Sequence, residues 1–576
     1  MKRLLSYGIV TINKEGERVK LKSNMSKALF IMLFLFPFFV GGYYVFYTAA
    51  IGILLSALLL ISVFKNKKIN YSASFTFFVI AFMSVMYFLT KFWAVDKSMA
   101  IHGFIKFFTA FLFAVSLIQI DRDEQKTLLC SVPLTAVIMT VFTYLMGFTA
   151  FGKNRFYDNI GDLHGTFEYA NAFAIYLLVG IIIALFSDIK LPFKIVAFIV
   201  CAFGIYKSNS RAVWLVSAFM VVAVALFYIF KKIDKTKRKI SVALLGVLFA
   251  TIVFIIFYRF GIVEKVWNYV NTDGSFNERL LYYTDALRYI VKHPFGKGAY
   301  AFYFAQSEFQ SAYYYAIDVH CDFLEYAIEI GIVPAVLFIV VIIKQLFSKQ
   351  VPDLQKFVIL AIALHSLVDY DLQFTSILFV LLLCFDYSNV KTKEVTSKLI
   401  PSVVALALTV LYGVIGLSAF CNYIGDHQKS VYYYKNTPSL IILMQSTNDK
   451  QSGYVLAQEI LKRNDSVYEP NNVMANIYSA DNKYGKAVKQ MELVIKKDPR
   501  TMQHYRDYID LLVKAIKYYD ERGETKKSQN CKDKIACVDD MISDLKAHTS
   551  KRGILYGRKQ DFEIGKEYKK IIKKYS

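Results

Sequence analysis

Charge is scarce in this sequence, and cysteine carries no pattern. Asp, Glu, Lys and Arg make up 20% of the 576 residues, against 56% hydrophobic and 16% aromatic, and the mean hydropathy is +0.39. A chain this apolar is no soluble globule, and it is too long for one domain. It reads as a membrane protein. The seven cysteines lie mostly within apolar runs and lack metal-type spacing; Cys531 and Cys537 fall too far around a predicted helix for an easy disulfide. Acids are outnumbered, 45 to 68, for a net charge of +23. That surplus sits in the loops between apolar runs and in a lysine-rich C-terminal region, so it reads as membrane anchoring and gives little reason to expect a nucleic-acid partner. Residues 1–27 are too polar for a cleaved signal peptide.

What is abundant is apolar sequence. Runs at 28–40, 43–64, 75–89, 105–120, 129–146, 172–186, 195–206, 212–230, 240–258, 323–347, 357–368, 375–385 and 400–420 give about thirteen spans by the length needed to cross a bilayer. The expected fold class is all-α: a polytopic helical bundle of about 12–13 spans over residues 28–420, followed by a helical domain over 421–576. Lysine and arginine set the orientation. With residues 1–27 cytoplasmic, the basic loops at 65–68, 121–126, 190–194, 231–239, 349–356 and 391–398 fall inside. A long loop at 260–322 and the C-terminal domain fall outside. The expected location is the plasma (inner) membrane, with the N-terminus cytoplasmic and the C-terminal domain extracytoplasmic.

The longest polar interruption, 278–331, holds the first candidates. Arg279 opens an amphipathic segment in which Leu280, Leu281, Ala286, Leu287 and Ile290 recur at helical spacing, predicting a helix over 280–292 on the membrane surface. A turn follows at His293, Pro294, Gly296 and Gly298. His320 stands just before the next span, and its side chain suits general base work near neutral pH; a polar cap is the blander reading. Glu325 and Glu329, one turn apart, are placed to line a polar cavity. Elsewhere on the outer side stand Arg155, His164 and Glu168, with Asn171 as a helix cap. Arg211 heads a span after Ser210, where snorkelling competes with function. His365, Asp369 and Asp371 lie between two short spans. Asp369 and Asp371 form a D-x-D pattern that holds a divalent metal in some membrane glycosyltransferases and that a capping turn also explains.

In order, S-R heading a span (Ser210, Arg211), E-R opening the loop (Glu278, Arg279), H-P-x-G-x-G (His293 to Gly298), then H-x-x-x-x-E-x-x-x-x-x-G (His320, Glu325, Gly331) resemble the O-antigen ligase and O-antigen polymerase superfamily. The resemblance covers residues 161–385, including His365 to Asp369. Tyr169 and Ala170 stand where asparagine and proline are common. The resemblance implies a glycan transferase with no metal and no other cofactor. It would move a glycan from an undecaprenyl diphosphate donor to an acceptor hydroxyl outside the membrane, with inversion. Arg211 and Arg279, with Arg155 as a third, would bind the diphosphate. His320 would be the catalytic base, with Glu325, His365 and Asp369 in support. The acceptor is a glycan, a cell-wall component or a protein, and ligase and polymerase remain unseparated.

The C-terminal stretch resembles one tetratricopeptide repeat: Ala475, Tyr478, Tyr484, Ala487 and Pro499 fall at packing and closing positions, and flanking helical segments would complete an array. This domain would bind a partner protein or acceptor, or cap the site. Two alternatives stay open: a lipid-linked glycan flippase, and a metal-dependent membrane glycosyltransferase using Asp369 and Asp371.

Overall fold

The computed structural model describes residues 21–232, 274–388, 392–556 and 560–575. Within them the chain is a helical bundle with an appended helical domain, as the apolar runs require. The elements that place the site are α1 (Val45–Asn66), α2 (Phe75–Thr90), α3 (Ala100–Ile118), α4 (Ala170–Phe186), α5 (Leu191–Lys207), α6 (Arg211–Lys232), α7 (Gly274–Lys292), α8 (Asp322–Ile330), α9 (Ile332–Phe347), α10 (Asp353–His365) and α11 (Leu399–Tyr423). Among the described residues, five helices are long and apolar enough to cross a membrane: α1, α3, Arg122–Met146, Arg211–Tyr228 of α6, and α11. Shorter apolar helices at Asn24–Phe38, α2, α4 and α9 join them, and this is a multi-pass membrane protein. The expected span at 240–258 lies outside the described residues.

Burial differs across these helices as position demands. Every residue of α4 from Ala172 to Ala184 is buried, so it is a central column. On α11, Leu399, Val403, Leu406 and Val410 are exposed, so it presents an apolar face to lipid. The loops that the charge pattern assigns to one side also touch one another. Ile69–Ser72 pairs antiparallel with Thr392–Val395, and Lys68 bridges Glu394 at 2.5 Å. At the opposite end, Leu163 N–H donates to Lys207 O at 2.9 Å.

The apolar run 323–347, expected as one span, is broken in two at Gly331. Its φ is +99°, and a Cβ there would lie 2.8 Å from Pro294 O, a conformation and a closeness that suit glycine. The cause is the H-P-x-G-x-G turn, whose backbone inserts into the break. Lys297 N–H donates to Ile328 O at 2.7 Å, Gly298 N–H to Glu329 O at 2.9 Å, and Ile332 N–H to Pro294 O at 2.9 Å. Carbonyls and amides orphaned by the broken helix are thus satisfied by the turn. The motif is a splint for α8, the helix that carries Glu325 and Glu329.

The C-terminal helices run from His427–Tyr433 to Lys566–Tyr575, and a core that includes Ala487, Met491, Ile509 and Leu512 joins those between Glu469–Ala480 and Val538–Ala547 with Lys566–Tyr575. Ala475 and Ala487 are buried there, and Tyr478 and Tyr484 pack against it. The domain docks on the loops at the site end. Asn464 Nδ2 donates to Asp96 Oδ2 at 3.0 Å, Ser466 Oγ to Phe304 O at 2.9 Å, and buried Arg500 to Gln310 O at 2.9 Å.

Candidate functional site

The site is assembled around Asp369. α10 ends at His365, and the loop after it folds back so that the Asp369 carboxylate is fully buried. Its oxygens accept from the hydroxyl of Tyr169 at 2.8 and 3.0 Å, from Asn171 Nδ2 at 2.6 Å, and from the Tyr370 amide at 3.0 Å. Arg279 Nη2 stands 3.4 Å from Oδ2, while its Nη1 donates to Val368 O at 2.9 Å. His320 Nδ1 lies 3.4 Å from Oδ1, at ion-pair distance but out of line for a hydrogen bond. Burial pushes the Asp369 carboxyl up; Arg279, then His320 and His365, outweigh it and hold the group well below the usual carboxylate range.

His320 is held from several directions. Its backbone sits at φ +59°, in the left-handed region that few non-glycine residues adopt. Tyr283 donates to its carbonyl at 2.7 Å. Tyr282 of α7 stacks on the imidazole at 5.8 Å, and Tyr370 meets it edge-on at 4.9 Å. Beneath lies a second buried layer. His365 Nδ1 is 2.6 Å from Asp371 Oδ2, and Asp322 Oδ2 accepts from Leu372 N–H at 3.0 Å. Together they fix the loop from which Asp369 projects.

The sequence candidates therefore meet in part. Arg279, His320, Asp369 and His365 converge. Arg211 heads α6 beside Ser210, whose Oγ donates to Asn171 Oδ1 at 2.6 Å, which brings the arginine's backbone to the rim of the hub. Arg155 stands apart, paired with Glu168, which also accepts from Tyr44 at 3.3 Å. Glu325 and Glu329 face a separate crevice on the other side of α8.

Asn171, expected as a helix cap, does not cap. α4 starts at Ala170, and the Asn171 amide turns to Asp369 instead. Tyr169 and Tyr370 were missed as site residues. The departure at Tyr169 was visible, but its meaning lay in a partner 200 positions away. The D-x-D pair does not form a metal cradle: the Asp369 oxygens are taken by N–H and O–H donors beside a guanidinium, and Asp371 is turned to His365. Hard divalent cations need free carboxylate lone pairs.

An apolar cavity of about 610 Å³ opens between α4, α5 and α6, lined by Leu178, Ile182, Phe198, Ala202, Trp214 and Met220. Trp214 lies one turn below Arg211 and donates to Ile205 O at 3.3 Å, so the groove runs up toward the rim of the hub.

Comparison with known proteins adds one finding. No curated protein matches the chain. The O-antigen ligase family model matches residues 196–339, a stretch that contains Arg211, Arg279 and His320 and leaves out Tyr169 and Asp369; through that stretch the chain is similar to the O-antigen ligase family.

Proposed function

We propose that the protein is an inverting, metal-independent glycosyltransferase that moves a glycan from undecaprenyl diphosphate to an acceptor hydroxyl on the outer face of the membrane. The observation that carries this reading is the convergence of His320 and Arg279 on one buried carboxylate, Asp369. A histidine paired through Nδ1 with a carboxylate keeps Nε2 as the basic nitrogen and has its imidazolium stabilised once protonated. Nε2 takes the acceptor proton as the acceptor oxygen attacks the anomeric carbon. The bond from that carbon to the diphosphate oxygen breaks on the opposite face, which inverts the centre, and the proton passes on to the departing diphosphate. General base action of this kind supplies about 10²- to 10⁴-fold.

The diphosphate needs cations that stay charged and donate in a planar fork. Arg279 and Arg211 fill that role, neutralising charge that grows on the leaving group. The polyprenyl tail lies in the apolar groove between α4, α5 and α6, with its polar end at Arg211. The reading is tested by glycan transfer from a lipid diphosphate donor with EDTA present, comparing wild type with His320→Ala and Arg279→Ala. The expected result is EDTA-resistant transfer that both substitutions abolish in folded protein. Transfer lost to EDTA would sink it, and a wild type that moves lipid-linked glycan between leaflets without transferring it would make the protein a flippase.

A further inference from the structure

The hub leaves unassigned a polar crevice on the other side of α8. The cavity measures about 30 Å³, room for about two waters. Its floor is Glu325, Tyr326 and Glu329, which are 1%, 2% and 6% exposed. Glu329 accepts from Tyr87 of α2 at 2.5 Å and from the Tyr300 amide at 3.0 Å, and Glu325 accepts from the Val319 amide at 2.6 Å. Asp318 and Tyr43 also line it, joined by a 3.2 Å hydrogen bond. One wall is Lys106, a lone cation in the middle of α3.

Two donors there are incompletely satisfied among the described residues. Lys106, with three N–H groups, donates one long bond of 3.4 Å to Gln373 O and lies 4.7 Å over the ring of Tyr43. The Tyr326 hydroxyl is buried with no partner. Donors left so in a membrane protein are costly unless a ligand or water completes them. The crevice also adjoins the base. Asp318 is two residues from His320, and the ring of Tyr43 lies 6.4 Å from that of Tyr370, which in turn touches His320.

We propose that this crevice is the acceptor subsite, taking a neutral, hydroxyl-rich arm of the incoming sugar such as an exocyclic hydroxymethyl. The proposal rests on the transfer reading above. An anionic arm would meet Asp318, Glu325 and Glu329, and a cationic one would meet Lys106. A hydroxyl both donates and accepts, so it serves the carboxylates, the ammonium and the Tyr326 hydroxyl together. Only a small arm fits, which leaves the rest of the sugar ring at the mouth, where a neighbouring hydroxyl reaches His320. Asp318 and Lys106 are then binding residues, and the proton stays with His320.

Full-length protein in nanodiscs supplies the test. The donor is its lipid diphosphate glycan, and the acceptor probe is the free oligosaccharide released from that donor by mild acid. Tyr326→Phe removes a hydroxyl that has no internal partner, so it leaves folding intact. It should raise the acceptor KM about two- to tenfold, the worth of one hydrogen bond, with the donor KM unchanged. Lys106→Met should raise the acceptor KM further. An acceptor KM unmoved by Tyr326→Phe, or acceptor and donor KM rising together, would overturn the assignment. His320→Ala separates the two readings through binding of the same oligosaccharide, followed by saturation-transfer NMR. Binding kept by His320→Ala and weakened by Tyr326→Phe supports the crevice even if no transfer is found in wild type, whereas no binding to either wild type or His320→Ala overturns it.

Discussion

Replacing Asp369 by asparagine is the sharpest perturbation of the hub, because it keeps the shape and removes the charge. The carboxylate accepts from Tyr169, Asn171 and the Tyr370 amide and faces the Arg279 guanidinium and the His320 imidazole. An asparagine has one carbonyl and one NH₂. If the carbonyl faces Tyr169 and Tyr370, the NH₂ lies against Asn171 Nδ2 at 2.6 Å and against Arg279, donor to donor. Breaking a buried pair from one side costs about 3–5 kcal/mol. Arg279 and His320 side chains keep 17% and 22% exposure, so water offsets part of the loss, and about 3 kcal/mol is expected. Catalysis should suffer more than stability. Without the carboxylate the imidazolium is unsupported and the basic nitrogen is no longer fixed, and transfer should fall by about 10³- to 10⁴-fold.

The pH dependence follows from the same group. Asp369 has a depressed folded pKa, so its contribution to stability is complete above the unfolded carboxylate value of about 3.9 and is lost only as pH falls toward the folded value. The gap in thermal midpoint between wild type and Asp369→Asn should hold constant from pH 7 to pH 5 and close below about pH 4. Transfer kinetics and thermal unfolding in nanodiscs measure both. A folded Asp369→Asn protein that transfers within tenfold of wild type would refute the hub as a catalytic unit, and a gap that closes already at pH 6 would refute the assignment of the depressed carboxyl.

Arg279→Lys keeps the charge and loses the fork that reaches Val368 O and Asp369 together, so transfer should drop about 10- to 100-fold with an increase in donor KM; a wild-type rate would mean that charge alone matters. Ala202→Trp fills the groove between α4, α5 and α6 and should raise the donor KM at least about fivefold, with little effect on a donor carrying a short prenyl chain. Arg500→Met removes buried bonds to Thr549, Gln560 and Gln310 O, each worth about 1.5 kcal/mol or more as a charged donor; limited proteolysis should then cut between the membrane part and the C-terminal domain faster than in wild type.

How much of this could be read from the residues depends on distance along the chain. Helices were legible because apolar runs and helical spacing are local signals. His320 and Arg279 were legible as ionisable groups beside spans, and the amphipathic segment that begins at Arg279 is the later part of α7. The hub itself was not, because Asp369 lies 200, 198 and 90 positions from Tyr169, Asn171 and Arg279, and no periodicity spans such gaps. Asn171 misled for a related reason: an asparagine at the head of a helix is more often a cap than an arm reaching another loop. The break at Gly331 was hidden by hydropathy, which counts apolar residues and cannot see a turn inserted among them.

Lys106 is the instructive case, since its signal was available. One ammonium in the middle of an apolar span is costly enough that a partner has to exist, and four carboxylates lay in the same neighbourhood on α8 and the loop before it. Composition pointed elsewhere, because most lysines here sit in loops, where anchoring explains them. Position within a span, and not charge alone, separates the two kinds: a loop lysine is satisfied by water and headgroups, whereas Lys106 is satisfied only by what the bundle brings to it. The bundle brings a carbonyl, a tyrosine face and a small polar cavity beside the proposed base. That incompleteness, more than the carboxylates themselves, is the physical reason to look for a sugar hydroxyl there.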